Sequence, residues 1–281
     1  MMDQSFKIQP VAAFYRLLAK CFPLILIISS VGASILFGIL KFIVAGVLGK
    51  KGKTDLIQLI QTQSSGSVDY IKQTKEMQKF LAAYPNIMPV FLLLLILGLL
   101  IAAYIIYVAH QFVRQKTFEH QLNWKLVFKP GKGFLNVFLF VLLIISILIL
   151  LSGLILVLIN TNPLLGSIVM LMLFMLFIRH VLVIPAILLG DMEMADAVKF
   201  SRELISTGKA FKIIVFGGLL FFALSFLMSL LLYFPSILMK SAEAKVYMNF
   251  LLSLMQIGFI AVGMASLFLR YGEFEEVKIA E

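Results

Sequence analysis

Long apolar runs alternate with short polar links along the chain. Six runs are long enough to cross a bilayer core of about 30 Å at about 1.5 Å per residue: 22–48, 88–109, 134–159, 164–189, 213–234 and 248–269. They predict transmembrane helices. The join 49–87 is the exception to the short links. Within it, DLIQLI (55–60) and DYIKQTKEMQKFLAAY (69–84) have helical spacing. QSSGS separates them and Pro85 stops the second, so the join predicts a helical insertion at the membrane surface.

Composition supports the membrane reading. Hydrophobic residues make up 62% of the 281, and charged residues only 14%. A soluble domain keeps roughly 25% charged residues. The expectation is all-α: one polytopic membrane domain over 1–281, with six spans and no room for a soluble domain beside it. The basic start (Lys7, Arg16, Lys20) precedes a run far longer than the core of a cleaved signal, so that run is expected to be a retained first span.

The net charge of +10 changes the picture by its distribution. Lys and Arg are scattered between apolar runs, which excludes a nucleic-acid surface. Lys7, Arg16 and Lys20, the 110–133 loop (Arg114, Lys116, Lys125, Lys129, Lys132), the 190–212 segment (Lys199, Arg202, Lys209, Lys212) and the tail (Arg270, Lys278) fall on one side of the predicted membrane. Lys50, Lys51, Lys53, Lys72, Lys75, Lys79, Lys240 and Lys245 fall on the other. Fourteen against eight predicts cytoplasmic termini in a bacterial inner membrane and an extracytoplasmic 49–87 insertion. Lys50, Lys51 and Lys53 pull the other way.

Three segments enter odd-numbered spans alike: AKCFPLILII from Ala19, GKGFLNVFLF from Gly131 and GKAFKIIVFG from Gly208. Each follows a segment with amphipathic spacing: 10–20, 121–130 and, most clearly, MADAVKFSRELIS (194–206). One reading is a triplicated unit of interfacial helix plus helical hairpin. The other is ordinary anchoring, with Lys snorkelling and Phe or Trp at the interface. Small residues at helical spacing (Ser30, Ser34, Gly38; Ser225, Ser229; Ala261, Ala265) favour close helix packing within the chain, or an oligomer seam.

Arg179 interrupts the run LMLFMLFIRHVLVIPAILLGD. On a straight 164–189 helix it lies near the midplane, at a cost of about 2.5–3.5 kcal/mol on insertion scales. The spans hold no acid to pair with it, leaving Asn136, Gln256, span-five serines or carbonyls freed by Pro185. The alternative is that the lipid-crossing helix ends near Arg179 and the VLVIPAILLG segment bends at Pro185 and runs along the cytoplasmic interface, so that Arg179 snorkels.

The residues Arg179, Pro185, Asp191, Ala197, Ser201, Leu204, Gly208 and Phe211 together resemble the membrane domain fused to bacterial glycerophosphoryl diester phosphodiesterases and its stand-alone relatives of unknown function. The match covers about forty residues. It departs in placing the acid late and in having Phe where Trp is frequent. It implies a multi-span bundle with cytoplasmic interfacial helices and little chemistry.

On physical grounds, Gly208 is expected as a left-handed helix cap. Ala197 and Ser201 are expected to press the amphipathic helix onto a span. Arg179, Arg202, Lys209 and Lys212 are the candidate anion or lipid contacts. Pro185, Ala197, Ser201, Gly208 and Phe211 form the structural motif.

No catalytic or metal-binding set is expected, and no cofactor. Cys21 stands alone, so it builds no disulfide or thiolate site and is expected to be buried. His110 and His120 are ten apart and share no helical face, and His110 is expected at the interface. His180 is expected to pack or hydrogen-bond. The favoured function is a non-enzymatic, lipid-interacting or partner-binding membrane module. Anionic lipid headgroups, and a protein partner or homo-oligomer, are its candidate partners. A transporter or flippase-like protein using Arg179 is the alternative.

Overall fold

The computed structural model describes residues 10–64, 78–80, 82–116, 122–161, 163–206, 208 and 241–279. Among these every regular element is helical. That follows from the composition, because in lipid a helix satisfies all its backbone groups internally. The elements are α1 (Pro10–Ser64), a 3₁₀ turn (Pro85–Ile87), α2 (Met88–Arg114), α3 (Trp124–Phe128), α4 (Lys132–Thr161), α5 (Pro163–Ile178), α6 (Val183–Leu188), α7 (Met194–Leu204) and α8 (Ala242–Ile279).

Among the described residues, four stretches are long and apolar enough to cross a membrane: Tyr15–Phe42, Leu92–Arg114, Trp124–Ile147 and Glu243–Leu269. They correspond to the expected first, second, third and sixth spans. The expected fifth span lies outside the described residues. The fourth run, 164–189, is not one straight helix; of the two readings, the one in which the helix ends near Arg179 holds. It is α5, then a turn at 179–182, then α6.

One expectation about the first run is also corrected. Residues 10–20 are not a separate interfacial helix, because helical structure is continuous from Pro10. The regularity breaks instead at Gly49, whose φ of 61° is open to glycine without steric cost. Helix then resumes into the polar join. The three segments proposed as repeats therefore differ: one fused to α1, one of five residues (α3), one of eleven (α7).

The chain divides into two compact units. One comprises Ile28–Ile101 and Met228–Leu254. In it, Gly32 lets α1 come close to its neighbours, since an added Cβ would stand 2.7 Å from Ile101 and 3.1 Å from Leu254. The expected stripe of Ser34 and Gly38 faces outward instead. Ser34 turns its hydroxyl back to the Ser30 carbonyl. Lys41 pairs with Glu243 and lies over the Phe37 ring. In the polar join, Tyr84 donates to Asp55 Oδ2 at 2.7 Å. That bond to a carboxylate raises the phenol's pKa above its ordinary value.

The other unit comprises Met1–Ile27, Ala102–Leu227 and Met255–Glu281. Its core joins Cys21, Leu24 and Ile25 of α1, the face Ala102 to Val113 of α2, and Phe259, Ala261, Val262 and Ala265 of α8. Gly258 sets the approach of α1 to α8, because an added Cβ would lie 2.5 Å from Ile25. Packing against α4 are α5 and α6, and α7 packs against α6. Large apolar side chains face outward along α4 (Leu135, Leu139, Leu143) and α5 (Leu164, Leu171, Met172). Such faces are stable against lipid and unstable against water.

Candidate functional site

The candidate residues gather at one end of the second unit, where α2 and α5 finish, α4 begins, and α3, α6 and α7 lie. The break after α5 organises this end. Ser201 of α7 supplies both halves of its repair: its Oγ donates to the Arg179 carbonyl at 2.7 Å and accepts from the Leu182 amide at 3.2 Å. A buried hydroxyl can do this because it has one proton to give and lone pairs to receive. Ala197, one turn earlier, is fully buried beside it. The two small residues seat α7 against α6, not against a straight span.

The break does not fall at Pro185 itself. It occupies the first turn of α6, where a helical amide has no intrahelical acceptor to miss. The chain leaves the helix at Arg179, six residues earlier. Arg179 is half-buried, and its Nη2 donates to the main-chain carbonyl of Arg202 at 3.3 Å. Its Nε is buried without a partner among the described residues. Two candidate contacts, Arg179 and Arg202, are thus brought together. Lys209, Lys212 and Phe211 lie outside the described residues. Gly208 is exposed and does not take the left-handed conformation expected of it. Helix α7 ends earlier, with Ile205 as its cap at φ −97°.

The left-handed residue is Asp191, at φ 50°. Its carboxylate takes two hydrogen bonds from Arg114, at 2.8 and 2.7 Å. Arg114 also reaches the Leu188 carbonyl at the end of α6. Asp tolerates this conformation better than most residues. The pair ties α2 to the segment after the break. Its partners are 77 positions apart, so no local pattern announced it.

Side chains of α2 hold the α3 segment in place. Gln115, buried, accepts from the Asn123 amide, and Asn123 caps α3 through the Lys125 amide. Tyr104 and Tyr107 donate to the carbonyls of Phe128 and Lys129. Trp124 stacks on Phe128 at 5.9 Å and also meets Phe112. Half of Trp124 and half of Leu126 remain exposed. Around them Lys116, Lys125, Lys129 and Lys132 are exposed.

On α7, by contrast, exposed Lys199 and Arg202 are matched by exposed Asp196 and Glu203. The free positive charge therefore sits around α3, not on α7.

His110 is not an interface residue. It is fully buried, with Nδ1 donating to the Ile106 carbonyl at 2.8 Å. Nε2 has no partner among the described residues. His180 lies in the turn at the break, and His120 lies outside the described residues. Among the described residues no three His, Cys, Asp or Glu side chains are grouped to hold a metal ion.

No family model, curated protein or solved structure matches the chain.

Proposed function

We propose that the chain is a non-enzymatic integral protein of a bacterial inner membrane that holds the anionic surface of the cytoplasmic leaflet. One observation carries this reading: exposed lysines surround the half-exposed Trp124 where the apolar helices end. Lysines at headgroup level attract anionic lipid by about 1 kcal/mol each. An indole at that level anchors depth. The fourteen-to-eight distribution of basic residues puts this end, and both termini, in the cytoplasm. The resemblance over 179–211 to the phosphodiesterase-linked membrane domain agrees with a bundle carrying interfacial helices.

The test is retention of lipid by the full chain. Purified in polymer discs from a mixed membrane, the protein should carry phosphatidylglycerol above its bulk share. Retention of acidic and zwitterionic lipid in bulk proportion would sink the reading. A stoichiometric protein in the discs would make the chain a subunit of a complex.

A second reading, a transporter for an anionic or lipid substrate, is supported by the buried and unpartnered Nε of Arg179. Proteoliposomes carrying Arg179→Leu should then lose anion or lipid movement while remaining folded. Equal rates with wild type would remove that reading.

A further inference from the structure

A cleft of about 510 Å³ opens between α1, the end of α2 and α3. Pro23, Leu24 and Ile27 form one wall, and Phe112, Trp124 and Phe128 the other. Leu122 and two exposed cations, Lys20 and Lys116, complete the lining. The volume lies in the range of small-ligand sites, about 300–1,000 Å³. The lining is not that of a site for a soluble polar ligand: it has two cations and little else polar. The wall residue Ile27 is 62% exposed and Trp124 50%. The cleft therefore opens sideways, where an apolar helix meets its surroundings.

From this geometry we infer that the cleft holds one anionic phospholipid, its phosphate between Lys20 and Lys116 and an acyl chain along Leu24, Ile27 and Phe112. The inference rests on the lipid-interacting reading and sharpens it to one site. Charge complementarity selects the occupant. Two cations at the mouth of an apolar groove match a molecule with an anionic head and an apolar tail. A second copy of this chain or a hydrophobic helix leaves the two ammonium groups unanswered. Trp124 lies at the junction of head and chain, the depth where indoles settle. Pro23 contributes as well: it has no amide hydrogen for the Ala19 carbonyl. Its ring gives α1 an apolar surface beside Lys20.

Trp124 is the single tryptophan of the chain, so its fluorescence reports on this cleft and nowhere else. The full-length protein is reconstituted in bilayers of phosphatidylcholine containing a small fraction of dibrominated phosphatidylglycerol, or of dibrominated phosphatidylcholine. The brominated anionic lipid should quench Trp124 more strongly at equal mole fraction. Each lysine is expected to contribute about fivefold in relative affinity. The double variant Lys20→Gln, Lys116→Gln should bring the two lipids to equal quenching. Lys199→Gln with Lys245→Gln, exposed lysines that do not line the cleft, should leave the preference intact.

Equal quenching by both lipids in the wild type overturns the site. Little quenching by either lipid overturns it in favour of a protein occupant. Loss of preference in both double variants overturns it in favour of diffuse surface charge, while the lipid-interacting reading survives. Recovery of fluorescence on adding inorganic phosphate assigns the lysines to a free anion and overturns the lipid. Bulk retention in discs, measured alongside, tells failure of the site from failure of the broader reading.

Discussion

Helices α4 and α5 are neighbours in one unit and almost equally oily, yet α4 runs for 30 residues and α5 stops after 16. Neither contains an acid, and the residues that distinguish them are few. In each stretch, or at its end, a backbone carbonyl accepts from a serine. Ser146 of α4 bonds Leu142 in its own helix at 2.8 Å, which leaves the helix intact. Ser201 bonds Arg179 and Leu182 from another helix. A helix end inside an apolar protein needs an outside partner for its freed amide and carbonyl. Where one is supplied the helix stops, and where none is supplied it continues.

The sharpest way to break this contrast is to make the same substitution at both serines. Ser201→Val should cost about 2–4 kcal/mol, because it strips a buried amide and a carbonyl of their partner. Ser146→Val should stay within about 0.5 kcal/mol of wild type, as exposed substitutions do. Denaturant unfolding in detergent measures both. Equal effects would mean the break does not depend on Ser201.

Gly190→Ala comes next. The added methyl would stand 2.8 Å from the Ala186 carbonyl, a backbone atom that cannot swing away. A loss of about 1–3 kcal/mol is expected, read from the same unfolding curves. A neutral result would mean that the chain after α6 can slide.

Asp191 sharpens the comparison further, because pairing and conformation can be separated there. Asp191→Ala loses the Arg114 pair and keeps the left-handed strain. Asp191→Gly loses the pair and relieves the strain. The glycine variant should be the more stable of the two by about 1 kcal/mol. Part of any loss to Arg114→Met should vanish at high salt, since the Asp191 carboxylate of the pair is largely exposed. Indistinguishable melting temperatures for the two Asp191 variants would remove the strain argument.

The smallest effect is expected at the residue most suggestive in the sequence. Pro185→Ala should change stability by less than about 0.5 kcal/mol and should not fuse α5 with α6, because the proline sits in a first turn. Cysteine accessibility at 179–182, in a Cys21→Ala background, should be the same with and without the proline. Loss of accessibility there would return the break to Pro185.

Periodicity and composition were enough for much of the architecture. The four apolar stretches long enough to cross a membrane among the described residues, an α7 close to the predicted 194–206 and the buried Cys21 all follow from which residues water rejects and how often they recur. Gly49 marked the end of the first regular stretch in the same local way. Other features were out of reach because they are settled by residues far apart in sequence. The fourth run leaves open whether it is one helix or one that ends near Arg179, and Ser201, twenty-two positions on, decides it by bonding the Arg179 carbonyl. His110 reads as an interface residue until the core closes over it. The predicted small-residue stripe of α1 reads as a packing seam, while Gly32 and Gly258, which set the close approaches, carry no stronger local signal. Hydrophobicity is a property of each side chain and is written in the sequence. The end of a buried helix, the burial of a polar ring and the choice between two small-residue faces depend on which partner stands opposite, and only the folded chain brings that partner there.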